Sequence, residues 1–238
     1  MLDIALIGYG KMGQAIERVA LQRGHKISLR ISRENRHELN PSSLANVDVA
    51  IEFTSPQSAA DNIVFCLENG TPVICGSTGW LHRLPEIEAA CNENHGAFLY
   101  ASNFSIGVNI FFEINKKLAA LMKEQTVYDV RLKEIHHKQK KDAPSGTAIT
   151  LAEQILDEIP RKTKWSAFPA SPEELLIESE RIDEVPGTHI VTYVGNNDQI
   201  EITHTAFDRM GFALGAVLAA EFIAGKKGVF TMKDVLGL

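Results

Sequence analysis

Residues 4–13 read Ile4-Ala5-Leu6-Ile7-Gly8-Tyr9-Gly10-Lys11-Met12-Gly13, an apolar run that leads directly into a glycine-rich turn. The apolar run is typical of a buried strand, and Ile16, Val19 and Ala20 then follow with the spacing of a helix. A Gly-x-Gly-x-x-Gly turn between a strand and a helix is typical of dinucleotide binding, because its glycines let the backbone approach a pyrophosphate. The alternative is a glycine turn with a purely structural role.

The pattern of a strand followed by a helix repeats over the first hundred residues. Apolar runs typical of buried strands lie at 26–31, 47–53, 72–75 and 97–101, and helical patterns lie at 14–21, 58–69 and 85–94. This alternation predicts an α/β fold with a Rossmann-like, doubly wound parallel sheet. Loops after such strands line the ligand crevice. We therefore expect Phe53, Thr54, Gly76 and Thr78 at the nicotinamide end of a cofactor, with plain turn formation as the alternative.

The end of the second strand bears on the type of cofactor. An NAD-specific site usually has a carboxylate there that binds the ribose 2′-hydroxyl. No carboxylate occurs before Glu34, whereas Ser32, Arg33 and Arg36 could receive a 2′-phosphate. NADPH is therefore the preferred prediction and NADH the alternative. The two arginines could also be surface residues of a connecting loop.

The pattern changes after residues 102–105. A long helix is predicted at 106–122, a strand with one wet face at 128–135, and a helix from Ser145 or Gly146 to about Glu158. Further strands are expected at 179–182, 189–194 and 199–205, the last two as an antiparallel hairpin, and 160–172 as an exposed connection. An apolar helix is predicted at 212–224. We therefore expect a dinucleotide-binding domain (1–104 and 210–238) and an inserted α+β domain (105–209) with a mixed or antiparallel sheet.

The stretch Glu134-Ile135-His136-His137-Lys138-Gln139-Lys140-Lys141-Asp142-Ala143-Pro144-Ser145-Gly146-Thr147 concentrates positive charge. Residues 131–142 carry five Lys or Arg and two Asp or Glu, a local charge of 5 − 2 = +3 in a chain of net charge −6. A cationic site in an acidic protein favours a small anionic ligand over a nucleic acid. The alternative is a solvated basic loop. A zinc site is not expected, because no further ligand lies at a suitable spacing from the two histidines.

Several stretches together resemble the dihydrodipicolinate reductase family, also called 4-hydroxy-tetrahydrodipicolinate reductases. The string from Glu134 to Thr147 is the most specific of them, and the stretches occur in the family order over nearly the whole chain. The matching stretches are Gly8–Gly13, Glu52–Thr54, Gly76–Gly79, Asn103–Asn109, Glu134–Ala148 and His204–Arg209. The resemblance implies reduction of a cyclic imine dicarboxylate by NAD(P)H in lysine and diaminopimelate biosynthesis, and a homotetramer assembled through the sheet of the second domain.

The resemblance also implies roles for single residues. By matching position, His136 and Lys140 are the expected catalytic residues, His136 as the proton donor and Lys140 as a carboxylate ligand, and the turn at Gly146 and Thr147 binds the other carboxylate. An imidazolium with an ordinary pKa of about 6.5 can donate a proton near neutral pH. We expect His137 and Ser145 to contact the substrate as well. The expected cofactor-binding residues are Gly8, Tyr9, Gly10, Lys11, Met12, Gly13, Ser32, Arg33, Phe53, Thr54, Gly76, Ser77, Thr78, Ala101, Asn103, Phe104 and Arg209.

The composition restricts the class of protein and its compartment. The chain of 238 residues has three cysteines without a Cys-x-x-Cys motif, no uncharged apolar run of transmembrane length, and no signal-peptide features at its beginning. We therefore expect buried, reduced thiols, a cytoplasmic location, and no nucleic acid or membrane partner. Two other functions stay open at this point. One is a dehydrogenase of another small amino or keto acid, and the other is a non-catalytic NADPH sensor.

Overall fold

The computed structural model describes residues 1–168 and 171–238, which form two compact units. The first unit contains Met1–Ile106 and Arg209–Leu238, and the second contains Gly107–Asp208. The strands are β1 (Asp3–Ile7), β2 (Lys26–Ile31), β3 (Val49–Glu52), β4 (Val73–Cys75), β5 (Ala97–Tyr100), β6 (Asp129–His136), β7 (Lys164–Ser166), β8 (Glu174–Arg181), β9 (Gly187–Val194), β10 (Gln199–Ala206) and β11 (Gly228–Phe230). The helices are α1 (Lys11–Gln22), α2 (Pro41–Leu44), α3 (Pro56–Glu68), α4 (Leu84–Glu93), α5 (Ile106–Met122), α6 (Gly146–Glu158), α7 (Met210–Ile223) and α8 (Met232–Leu236).

The first unit contains a six-stranded parallel sheet in the order β11-β5-β4-β3-β1-β2. Alternate residues of each strand point to opposite faces, so Ile4 and Leu6 of β1 pack with α1 and α7, whereas Ala5 and Ile7 pack with α3 and α4. Apolar cores therefore cover both faces of the sheet. This confirms the predicted doubly wound α/β fold, and the switch in strand order between β1 and β3 marks the ligand-binding edge of such sheets.

The second unit contains a five-stranded mixed sheet in the order β10-β9-β6-β8-β7. Strand β6 pairs in parallel with β8 and antiparallel with β9, and β9 and β10 form the expected antiparallel hairpin. Helices α5 and α6 cover one face through a core that includes Leu132, Leu151 and Ile177. Along β6 buried residues alternate with more exposed ones, as predicted for a strand with one wet face. The predicted second, mixed sheet is thus confirmed.

Several short elements differ from the sequence prediction. Strand β8 begins at Glu174, five residues before the predicted strand at 179–182. The prediction missed this first part because acidic residues obscure the alternation around the buried Leu175 and Ile177. Strand β7 lies inside the segment 160–172, which we expected to be irregular; residues 169 and 170 of that segment lie outside the described residues. Elements β11, α2 and α8 were not predicted. They have only three to five residues each, too few to establish a period.

Candidate active site

The glycine-rich turn after β1 combines two close backbone approaches with one open position. Gly8 has φ of +105°, and a Cβ there would lie 2.1 Å from the carbonyl oxygen of Phe53. A Cβ on Gly13 would lie 2.5 Å from the carbonyl oxygen of Gly8, so only glycine lets α1 pack this closely on the turn. No atom lies within 4 Å of the position of a Cβ on Gly10. The turn therefore leaves space at the N-terminus of α1, where free N–H groups favour an anion.

A cavity of about 540 Å³ opens beside this turn. No Asp or Glu occurs among its described lining residues, and the exposed Arg33 and Arg36 lie at its border. The lining residues are Ile7, Gly8, Tyr9, Gly10, Ile31, Ser32, Arg33, Arg36, Phe53, Thr54, Ser55, Gln57, Ser58 and Asn62. The open position at Gly10, the helix N-terminus and the two guanidinium groups fit a dinucleotide. The sequence prediction missed Ser55, Gln57 and Ser58 at the start of α3 and Asn62 within it, because it assigned no role to the helix that follows β3.

A buried carboxylate, Glu52, supports the turn that carries Phe53 and Thr54. Glu52 is fully buried and accepts hydrogen bonds from the backbone N–H of Thr54 (3.0 Å) and the thiol of Cys75 (3.1 Å). The backbone N–H of Thr54 also donates to the Ser77 hydroxyl (2.8 Å). Phe53 and Thr54 line the cavity, whereas Ser77 is buried and contacts the backbone of Thr54.

Of the remaining residues predicted to bind the cofactor, Tyr9 lines the cavity and the others are not among its lining residues. Gly76 lies against the Phe53 ring, where a Cβ would come within 2.2 Å, and Thr78 is exposed. Ala101 and Phe104 are buried, and the Phe104 ring centroid lies 5.7 Å from that of Phe53. The Tyr9 hydroxyl donates a hydrogen bond to Glu17, and the Asn103 side chain accepts one from the backbone N–H of Ser105. Met12 is partly buried against the core. Lys11 and Arg209, the latter just before α7, are exposed.

In the second unit, strand pairing brings together a buried cluster of polar side chains. Glu134 and His136 lie two residues apart on β6 and so on the same face of the sheet. His189 of β9 stands opposite Glu134, and Arg181 of β8 stands opposite His136. Ser145 adds its hydroxyl from the N-cap of α6, as the sequence predicted for this helix start. The cluster therefore draws on four elements that are distant in sequence.

Glu134 is the charged centre of this cluster. It is fully buried and accepts hydrogen bonds from the Arg181 guanidinium (2.9 Å) and the backbone N–H of Ser145 (3.0 Å). Burial by itself raises the pKa of this carboxyl group, but the hydrogen bonds from His136, Ser145 and Arg181 outweigh burial and hold the pKa of Glu134 well below its usual value. Glu134 is therefore a carboxylate at neutral pH.

The His136 ring is held at both nitrogens. Its Nδ1 lies 3.1 Å from the carbonyl oxygen of Pro186, and its Nε2 lies 3.5 Å from Oε2 of Glu134 and 3.4 Å from Nε2 of His189. Because a carbonyl oxygen can only accept, we assign a proton to Nδ1. The residue as a whole is 8% exposed, so only a small part of its surface is open to a ligand.

The other residues predicted to bind substrate lie in the loop after β6 and at the start of α6. Lys140 is partly exposed, and its ammonium group contacts the Asp142 carboxylate at 2.8 Å. His137 is partly exposed, Gly146 is exposed and Thr147 is partly exposed. The Ser145 side chain is buried, and its hydroxyl contacts His189 Nε2 (3.1 Å) and Ala148 N (3.2 Å). The Ser145 side chain thus supports the cluster, while the backbone after it faces outward.

Three atoms of the cluster lie as close together as metal ligands do. The ligand atoms of Glu134, His136 and His189 lie within 4.8 Å of one another, although the two adjacent histidines alone did not suggest such a set. The hydrogen bonds described above account for the same arrangement, and Arg181 already pairs with the carboxylate. We therefore assign no metal to these residues, and the prediction of no metal site stays a prediction.

Comparisons with known proteins identify the family. The family model described as "Dihydrodipicolinate reductase, N-terminus" matches residues 2–104, and that described as "Dihydrodipicolinate reductase, C-terminus" matches residues 107–236. The chain belongs to the dihydrodipicolinate reductase family. It is accordingly an oxidoreductase that uses a nicotinamide cofactor, as the sequence resemblance implied.

Individual members of the family are similar over their full lengths. A protein of Christiangramia forsetii named 4-hydroxy-tetrahydrodipicolinate reductase is 50% identical over 236 residues, which is 99% of this chain and 98% of that protein. A protein of the same name from Akkermansia muciniphila is 35% identical over 250 residues, covering 100% and 99% of the two chains. The structure of dipicolinate-bound dihydrodipicolinate reductase from Paenisporosarcina sp. TG-14 has the same fold, with a TM-score of 0.77 at 23% identity over 98% of each chain.

The depressed pKa of His189 makes the stability of this reductase sensitive to pH. Burial, with the charge of His136 as a second cause, lowers the pKa of His189 to about 3. Below about pH 6.5 the unfolded chain binds a proton on this imidazole that the folded protein does not bind. The free energy of unfolding should therefore fall with decreasing pH between about 6.5 and 5, by up to about 1.4 kcal/mol per pH unit from this group.

Urea unfolding at several pH values tests this prediction. His189→Gln removes the titrating group and should make the dependence flatter between pH 6.5 and 5. His82→Gln, which removes an exposed imidazole of the first unit, should keep the slope of the unchanged protein. Equal slopes for the unchanged protein and His189→Gln would contradict the assignment.

Proposed function

We propose that the chain reduces 4-hydroxy-tetrahydrodipicolinate, by way of dihydrodipicolinate, to tetrahydrodipicolinate in lysine and diaminopimelate biosynthesis, with NADPH as the preferred cofactor and NADH as the alternative. The relative with 50% identity carries the name of this activity. The observation that carries the proposal is the buried pair of His136 and Glu134, from which a cationic loop leads to the N-terminus of α6. This arrangement suits a reaction that needs a proton donor beside an anionic substrate.

The first unit would hold the cofactor through its backbone and its arginines. The pyrophosphate fits the open space at Gly10 and the N-terminus of α1, and a 2′-phosphate fits Arg33 and Arg36. When bound, the cofactor supplies a hydride. Phe53 and Thr54 would bound the nicotinamide end, because they follow β3 at the carboxyl edge of the sheet and line the cavity.

The second unit would bind the substrate and supply the proton. His136 donates it, because negative charge develops on the substrate when a hydride is added. Lys140 provides a positive charge for one carboxylate, and the N–H groups at Gly146 and Thr147 provide the helix N-terminus for the other. His137 is within the same loop and would contact the substrate or orient the loop.

A coupled assay tests the proposed activity. Purified protein should oxidise NADPH only when the unstable substrate is generated in the cuvette by a condensing synthase. Other small amino or keto acids should give no turnover. Turnover with one of those acids but not with the dicarboxylate would favour the related dehydrogenase, and tight NADPH binding without any turnover would favour a sensor.

The preference for NADPH predicts a selective effect of Arg33→Ala. Removing this exposed guanidinium at the cavity border should raise the Kd of NADPH about tenfold, because one charged hydrogen bond is worth roughly 1.5–3 kcal/mol. The Kd of NADH should change less than twofold. Fluorescence titration of both cofactors measures this difference.

Arg18→Ala is the matched control for this variant. Arg18 is an exposed arginine of α1 that does not line the cavity, so its loss should leave both Kd values unchanged. Equal weakening of NADPH and NADH by Arg33→Ala would remove Arg33 from the 2′-phosphate site.

We also propose a homotetramer in the cytoplasm. The family resemblance supports assembly through the sheet of the second unit, where both faces of β10 are partly or fully exposed.

The free, buried thiols Cys66, Cys75 and Cys91 support a reducing compartment. No helix among residues 1–168 and 171–238 is long and apolar enough to span a bilayer. Light scattering of the purified protein gives the subunit number.

A further inference from the structure

The loop between β6 and α6 carries the residues that the proposed reaction needs for its anionic substrate. Residues 137–145 form no helix or strand, so the loop keeps one shape only if contacts with its neighbours hold it. Lys140 lies within this loop, whereas the other proposed carboxylate site is the first turn of α6, at Gly146 and Thr147. The distance between the two sites therefore depends on how the loop is anchored.

Arg181 of β8 anchors the middle of the loop. Its Nη2 donates to the backbone carbonyl oxygen of Asp142 at 2.6 Å and to Oε1 of Glu134 at 2.9 Å. These two bonds use both hydrogens of Nη2, and Nη1 donates to the carbonyl oxygen of Glu180 at 2.8 Å. The Arg181 side chain is 19% exposed and the carboxylate of Glu134 is fully buried. The guanidinium group thus ties the loop backbone to a buried charge on β6.

Asp142 connects this anchor to Lys140. Its carboxylate contacts the Lys140 ammonium group at 2.8 Å, while its backbone carbonyl oxygen accepts from Arg181. The backbone N–H of Lys140 also donates to the carbonyl oxygen of His137 at 3.0 Å, which closes a tight turn. An ammonium group has three hydrogens, so Lys140 can keep Asp142 and still donate to a carboxylate of a ligand.

The end of the loop is anchored to the same buried carboxylate. The second oxygen of Glu134, Oε2, accepts from the backbone N–H of Ser145 at 3.0 Å, one residue before α6. Glu134 therefore has Arg181 on one oxygen and the start of α6 on the other. Lys140 and the N-terminus of α6 are thus each connected to one buried group by a short chain of contacts.

We propose that Arg181 and Asp142 are positioning residues for Lys140. Arg181 fixes the backbone of Asp142, and the Asp142 carboxylate holds the Lys140 ammonium group at a set distance from the N-terminus of α6. The site then selects ligands whose two carboxylates match this distance. The role of Lys140 as a carboxylate ligand rests on the proposed function, but binding of a dicarboxylate can be measured without turnover.

Titration calorimetry with two pyridine carboxylates, in the presence of saturating NADPH, tests the inference. Dipicolinate has two carboxylates, as the proposed substrate has, and picolinate has one. Arg181→Lys keeps the positive charge beside Glu134 but loses the planar group that donates in two fixed directions, so the Kd of dipicolinate should rise about tenfold. The Kd of picolinate should change less than twofold, because the N-terminus of α6 can hold its single carboxylate.

Asp142→Ala tests the same connection at an exposed position. The Asp142 side chain is 58% exposed, so this variant decides the question if Arg181→Lys does not fold. A lysine without its partner must be ordered when the ligand binds, and the Kd of dipicolinate should rise about threefold. Arg161→Lys is the matched control, because Arg161 also donates to two backbone carbonyl oxygens, those of Lys123 and Tyr128, beyond the other end of β6. It should leave both Kd values unchanged.

A double substitution tests whether Arg181 acts through Lys140. In a Lys140→Met background, Arg181→Lys should no longer change the Kd of dipicolinate. An undiminished effect in that background, equal weakening of both ligands, or an unchanged Kd of dipicolinate in Arg181→Lys would overturn the inference. Tighter dipicolinate binding by Asp142→Ala, or no dipicolinate binding by the unchanged protein, would also overturn it.

The inference and the proposed function can fail separately. If the ligand titrations give the expected shifts but the unchanged protein reduces no dicarboxylate, the proposed function fails and the positioning of Lys140 stands. If the unchanged protein reduces the dicarboxylate but the shifts are absent, the proposed function stands and the positioning of Lys140 fails.

Discussion

Replacement of His136 by glutamine should lower kcat for the dicarboxylate by about 10²–10⁴-fold, the usual contribution of a positioned general acid. The amide of glutamine can still bond to Pro186, Glu134 or His189, but it cannot donate a proton at neutral pH. The Kd of NADPH should stay within twofold, because His136 belongs to the second unit and the dinucleotide cavity is built entirely from residues of the first. Steady-state kinetics and fluorescence titration give the two quantities.

The pH profile distinguishes loss of the acid from loss of structure. The unchanged enzyme should lose kcat as the pH rises through the titration of its proton donor, whereas His136→Gln should have a low kcat without that limb. His82→Gln, which removes an exposed histidine, is the matched control and should match the unchanged protein. Normal turnover by folded His136→Gln would exclude His136 as the donor.

Local patterns predicted the fold well because its main elements are long enough to show a period. The helix at 106–122 was predicted with the observed bounds, and the start of α6 was correct because Ser145 is a good N-cap before Gly146. Strand β7 (Lys164–Ser166) and strand β11 (Gly228–Phe230) could not be recognised, because three residues are too few for a period and neither strand is a continuous apolar run like the equally short β4. The acidic residues of β8 obscured its strand pattern in the sequence. This strand is held in the sheet by its pairing with β6 and β7.

The residues of the candidate site could likewise be predicted only in part. The glycine turn and the His-rich loop are contiguous in sequence, so their residues could be proposed together. His189 and Arg181 could not, because they reach Glu134 only through the register of β9 and β8 with β6. Sequence spacing does not encode this register, which depends on the long-range pairing of three strands.

The glycine turn gives the other large effect, on stability. Gly8→Ala would force a Cβ to within 2.1 Å of the Phe53 carbonyl oxygen at a residue with φ of +105°. The unfavourable φ costs about 1–2 kcal/mol and the steric overlap about 1–3 kcal/mol. We expect a loss of roughly 3 kcal/mol in the free energy of unfolding of the cofactor-free protein, measured by urea unfolding, together with a lower melting temperature.

Gly10→Ala separates this structural effect from cofactor binding. Gly10 has φ of −93°, and no atom lies within 4 Å of the added Cβ, so the stability of the cofactor-free protein should change by less than about 0.5 kcal/mol. The methyl group would occupy the space in which the backbone approaches the pyrophosphate, and the Kd of NADPH should rise at least about tenfold. If Gly10→Ala bound NADPH normally, the phosphates would not lie at this turn. If Gly8→Ala were as stable as the unchanged protein, the contact between Gly8 and Phe53 would not constrain the fold, and Gly8 would serve the ligand alone.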